Sequence, residues 1–248
     1  MKILFSPSEA KLAGGTEEAF KKDSFLFPEL FKHRKKMIDL YQDFVDNADD
    51  KMLEKFFGIK QTEAIDYYKS NIYERNTTKV IKRYDGVAFD FLNYSSLHHT
   101  HKEYVDENVI IFSNLFGPLL AGDEGLPDYK LKQGEKIGDY AVEKFYRENF
   151  SEALDNFLHD EDIIDLRAGF YDKFYKIKKP HLSLKFIKNG KVISHWAKAY
   201  RGIVLRHIAS KKIQSIDDFM HLEIENLAAI EISQKGFNTE IHYEIVGK

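Results

Sequence analysis

The sequence predicts an α/β fold: one domain over residues 1–248, with a mixed β-sheet surrounded by helices. Three observations predict it. Val109-Ile110-Ile111-Phe112 is a continuous apolar run of strand length, the pattern of a strand covered on both faces. Ile163-Ile164-Asp165-Leu166 is a second short run of the same kind. Around them lie segments whose apolar residues recur at helical spacing, so strand and helix alternate. No repeat, low-complexity stretch or linker composition divides the chain.

Each element has its own signal. Ile3-Leu4-Phe5 reads as a short buried strand closed by Ser6-Pro7. From about Phe25 to Val45, the residues Leu30, Phe31, Met37, Ile38, Tyr41, Phe44 and Val45 recur at helical spacing. Asn47 ends that helix and Asp49 caps the next, over Asp50 to Phe57, which Gly58 breaks. Thr62 to Tyr73 reads as a third helix. Residues 77 to 108 read as mostly helical, interrupted at Asp85-Gly86. Ser113 to Gly138 reads as a long Gly- and Pro-containing loop, within which Asp128 to Lys132 alternates like a short strand. Asp139 to Leu158 is amphipathic, with Tyr140, Val142, Phe145, Tyr146 and Leu154 on its apolar face. Asn189-Gly190 between Leu182–Ile187 and Val192–Trp196 is a strong hairpin signal. Ala197 to Ala209 reads as a helix, and a strand near Glu240 to Val246 closes the chain.

Charge is unevenly spread. From Lys173 to Ile216 the chain runs 44 residues without one Asp or Glu, while the same window holds 12 Lys and Arg. The whole chain has 37 basic and 40 acidic residues, so the remainder keeps 25 basic and all 40 acidic. At the chain's average composition the window should hold about seven acids. Such a block gathers positive potential and favours a phosphate-bearing partner, either nucleic acid or a phosphorylated small molecule. The competing reading is a solvated face of Lys side chains. There is no cysteine, which excludes disulfides, thiolate zinc sites, cysteine-ligated iron–sulfur clusters and thiol peroxidase chemistry. No run of 18 apolar residues exists to span a membrane. The first residues are too soon broken by Pro7 to read as a signal peptide, so a cytoplasmic location is expected.

Four stretches could carry chemistry. Leu53 to Ile65, centred on Gly58-Ile59-Lys60, has the look of a helix-hairpin-helix within an element at about 49–73. Its turn would present backbone N–H groups to a DNA phosphate. The usual pattern has a second glycine where Lys60 stands, and an ordinary helical hairpin with a glycine cap is the competing reading. The second stretch is His195 to Arg206, where Lys198, Arg201 and Arg206 could clamp phosphate near a helix start. Gly202 inside that helix costs about 1 kcal/mol against Ala. The third is the loop from Asn114 to Lys132, which follows a buried strand, where open α/β sheets place ligands; Asp128, Tyr129 and Lys130 are its polar candidates. The fourth, His98-His99-Thr100-His101, lacks the spacing and partners of a metal motif, so no metal and no cofactor are expected. Signatures for dinucleotides, a P-loop, zinc proteases and serine hydrolases are absent.

Five segments in order resemble the YaaA family of bacterial peroxide-stress proteins. They are Ile3-Leu4-Phe5-Ser6-Pro7-Ser8-Glu9-Ala10-Lys11 with Gly14-Gly15, Phe112 to Gly117, Asp128 to Gly134, Ile164 to Tyr171, and His195 to Gly202 with Arg206. Phe116, Lys130, Lys132, Tyr200 and Ala168-Gly169 depart from the family's usual residues. The resemblance implies a cytoplasmic α/β protein that limits iron-dependent peroxide damage. It also implies a DNA-binding activity through a helix-hairpin-helix element and a basic cleft that maps onto Lys11, Lys130, Lys198, Arg201 and Arg206. Contacts of these groups with phosphates predict binding of double-stranded DNA with little base readout. The alternative is an enzyme acting on a nucleotide or other phosphorylated small molecule in the same cleft, with Asp128 or His195 as acid or base. No catalytic reaction comes with the resemblance.

Overall fold

The computed structural model describes residues 1–16, 19–192 and 195–246, with the His195 side chain outside the described set. In chain order the strands are β1 (Lys2–Phe5), β2 (Thr77–Thr78), β3 (Val109–Ser113), β4 (Gly117–Leu120), β5 (Leu126–Pro127) and β6 (Lys136–Ile137). They continue with β7 (Tyr140–Ala141), β8 (Ile163–Leu166), β9 (His181–Lys188), β10 (Lys191–Val192), β11 (Leu227–Lys235) and β12 (Asn238–Ile245). The α-helices are α1 (Phe31–Asn47), α2 (Asp50–Phe57), α3 (Thr62–Tyr68), α4 (Val80–Arg83), α5 (Val87–Leu92), α6 (His99–Asn108), α7 (Val142–Phe157), α8 (His195–Lys211) and α9 (Ile216–Met220).

Strands from both ends of the chain enter one sheet, in the order β11-β12-β9-β8-β1-β3-β4, with β10 folded back on the end of β9. The five inner strands are mutually parallel. The two outer strands, β4 and β11, run antiparallel to their neighbours. Register pairs Phe5 with Ile111 on one side and with Leu166 on the other. Ile3, Leu4 and Phe5 are at most 1% exposed and β3 is buried throughout, as central parallel strands covered on both faces must be.

Local chemistry explains the helix bounds. The apolar periodicity runs from Phe25, yet α1 starts at Phe31, because Phe27 takes a left-handed conformation (φ 63°) and Pro28 to Leu30 form a 3-10 turn. The Asp49 carboxylate accepts from the Met52 N–H at 2.9 Å and caps α2. Gly58, at φ 70°, ends α2 by donating to the Glu54 carbonyl. α3 stops at Tyr68, short of the expected Tyr73, where Ile72–Glu74 is only a 3-10 turn. α7 buries Val142, Phe145, Tyr146, Phe150 and Leu154 on one face.

Three other expectations are corrected. Asp128 to Lys132 is not a strand: Tyr129 and Leu131 are buried, but Tyr41 donates to the Lys130 carbonyl and Lys132 donates to the Phe56 carbonyl. The presumed loop after β3 instead contains β4, an edge strand that tolerates Pro118. The hairpin's return strand is only Lys191–Val192, and Trp196 already belongs to α8; Ile193 and Ser194 lie outside the described residues.

Gly202 is explained by packing. A Cβ at this position would stand 2.1 Å from the Ala88 carbonyl oxygen and 3.0 Å from the Leu92 nitrogen. Only glycine lets α8 approach the α5 backbone this closely.

Candidate functional site

The chain leaves β1 toward β3 on one side, and leaves β8 toward β9 on the other. The carboxyl ends of β1 and β8 therefore flank the topological switch point, where open α/β sheets leave a crevice for ligands. A cavity of about 450 Å³ opens there. Ser6, Ser8 and Glu9 line it from the loop after β1, and Ala168 and Tyr171 from the loop after β8. Ala88 and Phe89 on α5, Gln133, and Lys198 and Arg201 on α8 complete the walls used below. The Ala168 N–H donates to Ser6 Oγ at 2.7 Å and ties the two loops together.

The expected cations do not all converge. Lys198 and Arg201 line the crevice, three residues apart on α8. Arg206 does not: its guanidinium donates to the carbonyls of Leu92 and Asn93 at 2.8 and 3.0 Å and closes the end of α5. Lys130 reaches the Glu9 carbonyl at 3.1 Å, and Glu9 Oε1 accepts from the Gln133 N–H at 2.9 Å. Lys11 lies beside the same loop, 3.4 and 3.5 Å from the carbonyls of Ser8 and Glu9, with its ammonium 4.0 Å from the centre of the Tyr129 ring. Burial pulls its pKa down to about 7 against the opposing pull of Asp128.

Asp128 lies deeper. It is buried, and its carboxylate accepts from the Tyr68 hydroxyl at 3.1 and 3.2 Å, outside the crevice lining. Burial raises its pKa, opposed by Lys11 and the Tyr68 hydroxyl. The backbone of His195 opens α8, but its side chain lies outside the described residues. His98 precedes α6 and His99 and His101 fall within its first turn; among the described residues no three His, Asp or Glu side chains gather as a metal ligand set.

Arg201 differs from the other partly or fully buried arginines. Arg34, Arg75, Arg83 and Arg206 all donate to backbone carbonyls. Arg167 grips Asp165 through Nε and Nη2 at 2.9 and 2.8 Å, and donates to the carbonyls of Tyr171 and Tyr175. Arg201 makes no hydrogen bond or ion pair among the described residues, and Asp165 acts on it only at longer range. Burial lowers its pKa, opposed by that carboxylate. Its guanidinium still reaches solvent at the crevice, so an anion entering there can take it as a partner without displacing a protein bond.

The hairpin is a second feature. α2 and α3 are joined through Gly58, Ile59, Lys60 and Gln61; Lys60 is exposed and Ile59 packs on the core. Gln61 offers no side-chain cap, and its carbonyl accepts from the Ala64 and Ile65 N–H groups at 3.1 and 3.0 Å. The Lys132 side chain lies over Gly58, 3.4 Å from where a Cβ would be.

Ser6, Ser8, Gln133, Phe89 and Tyr171 are crevice residues that sequence reasoning did not single out for a site. Ser6, Ser8 and Tyr171 share position after β1 and β8, which becomes visible only when strand order is known, while Phe89 comes from α5 and Gln133 from the segment before β6.

Residues 1–231 match the sequence profile of the family described as "Peroxide stress protein YaaA". The chain belongs to the YaaA peroxide-stress family. A relative in Campylobacter jejuni, described as uncharacterized, is 47% identical over 246 residues, covering 99% of this chain and 100% of the relative. A UPF0246 protein of Corynebacterium glutamicum is 31% identical over 90% of this chain and 91% of its own length. One of Malacoplasma penetrans is 24% identical over 98% and 96%. Among the described residues, no helix is long and apolar enough to cross a membrane.

Proposed function

We propose that this YaaA-family protein acts in peroxide defence in the cytoplasm by binding double-stranded DNA through its phosphates, without reading sequence. The observation that supports this most directly is Arg201, a partly buried guanidinium with no protein acceptor among the described residues, three residues from exposed Lys198 on α8. Both lie in the window of 12 basic and no acidic residues, whose field attracts a polyanion. Lys130 and, in its protonated form, Lys11 add positive charge on the β1 side, while the Gly58–Lys60 turn forms a separate dock for a neighbouring phosphate. DNA held in this way is screened from hydroxyl radicals, which form when ferrous iron reduces peroxide.

The test is binding of the purified protein to a short duplex at two salt concentrations. A phosphate-tracking interface loses affinity steeply as salt rises, to the same degree on unrelated sequences. Lys198→Ala combined with Arg201→Ala should weaken binding uniformly. Unchanged binding by the folded double variant would exclude the α8 cations from the interface.

A further inference from the structure

Arg201 stands between two cavities. It lines the 450 Å³ crevice at the switch point and also a larger cavity of about 780 Å³ beside β9 and β12. The larger cavity is rich in charge, but its Arg167 is committed to Asp165, and its Lys185 lies 3.7 Å from Glu240. Arg201 is the cation that both cavities share without a bonded partner among the described residues.

We propose that the smaller crevice is a pocket for one nucleoside phosphate, with its phosphate on Arg201 and Lys198 and its base against Phe89 and Tyr171. The inference rests on the reading of Arg201 as a phosphate-holding residue, and it adds a single-nucleotide site to the DNA surface. The volume lies within the range of about 300–1,000 Å³ usual for small-molecule sites, and far below what a duplex requires. The walls divide by chemistry. Phe5, Phe89, Leu166 and Tyr171 give an apolar and aromatic side suited to a planar base. Gln133 brings an amide with both donor and acceptor, as a base edge requires. Lys198 and Arg201 supply fixed positive charge from α8, and Arg201 can present two N–H groups to one phosphate. Glu9, the acid in the lining, is turned to the Gln133 N–H. Two sources could fill such a pocket: a free nucleotide, or a nucleotide swung out of bound DNA.

Calorimetric titration of the full chain with the four nucleoside monophosphates tests the pocket, with the free nucleosides and inorganic phosphate as controls. At least one monophosphate should bind about tenfold or more tightly than its nucleoside or phosphate alone. Arg201→Gln should weaken that binding about tenfold or more without lowering the thermal midpoint, because the side chain has no protein bond to lose. Lys198→Ala, at an exposed position, should weaken it as well and supplies the test if Arg201→Gln does not fold. Arg206→Gln should do the reverse, with a lower midpoint and full nucleotide affinity. A duplex carrying 2-aminopurine separates the sources. A fluorescence rise on protein binding that the free monophosphate suppresses assigns the pocket to extruded DNA bases; nucleotide binding without that rise assigns it to free nucleotide. Salt-sensitive duplex binding with neither nucleotide capture nor a fluorescence rise overturns the pocket and leaves the DNA reading standing. Nucleotide capture without duplex binding does the opposite. Equal affinity in wild type and in both folded cation variants also overturns the pocket.

Discussion

Arg167 holds both carboxylate oxygens of Asp165, at 2.9 and 2.8 Å. That grip satisfies Asp165 near the end of β8, so its carboxylate acts on Arg201 only through space. Burial pushes the Asp165 carboxyl up, but the charge and hydrogen bonds of Arg167 outweigh burial and hold it below the usual carboxylate range. Its folded pKa is thus below its unfolded one, and the stability it contributes is present above about pH 4 and lost as pH falls further. Arg167→Gln should strand a buried carboxylate at a cost of about 3–5 kcal/mol. Urea unfolding at neutral pH measures the loss; a loss below about 1 kcal/mol would show that the pair is not structural.

Lys11 gives the opposite pH signature. Its proton binds near pH 10.5 in the unfolded chain and near 7 in the fold. Between those values the unfolded chain binds more protons, so stability rises with pH across that window. Lys11→Met should remove this rise. Urea midpoints of the two proteins at about pH 6.5 and about pH 9.5 provide the check, with parallel shifts in both counting against a perturbed Lys11.

Gly202→Ala should destabilise the protein although Ala is the better helix former. The methyl would meet the Ala88 carbonyl at 2.1 Å, forcing α8 away from α5 at a cost of roughly 1–3 kcal/mol. The same displacement moves Lys198 and Arg201, so DNA affinity should fall with thermal stability. Unchanged unfolding would mean that the two helices separate without cost.

Lys60→Ala tests the hairpin alone. The side chain is exposed, so stability should stay within about 0.5 kcal/mol of wild type. DNA binding should weaken evenly across sequences, and the salt dependence should lose about one phosphate contact. An unaltered salt slope would make the turn between α2 and α3 purely structural.

Much of the fold was legible because burial wrote it into runs and periods. The apolar runs at 109–112 and 163–166 became central strands, and the period of Val142 to Leu154 became one buried face of α7. Asn189-Gly190 made its hairpin, with both residues at positive φ. The strand β4 was hidden because Gly117 and Pro118 carry loop composition, which an edge strand accommodates. The alternation from Asp128 to Lys132 was real in burial, yet its backbone bonds go to Tyr41 and Phe56 rather than to a strand. Of the three candidate cations on α8, Lys198 and Arg201 line the crevice, while Arg206 closes the end of α5. Nothing in residue spacing distinguishes an arginine that caps a helix from one that faces a cavity. That difference depends on which carbonyls the fold brings within reach.

The position of β1 governs how the chain can fold. Lys2–Phe5 is made before both its partners, which begin at Val109 and Ile163. At about 5–20 residues per second, the strand emerges roughly 8–30 s before its second neighbour has been synthesised. Until then the β1 edge that faces β8 lacks its native partner. The centre of the sheet therefore closes late, and the crevice beside it exists only in a chain whose synthesis has passed residue 201.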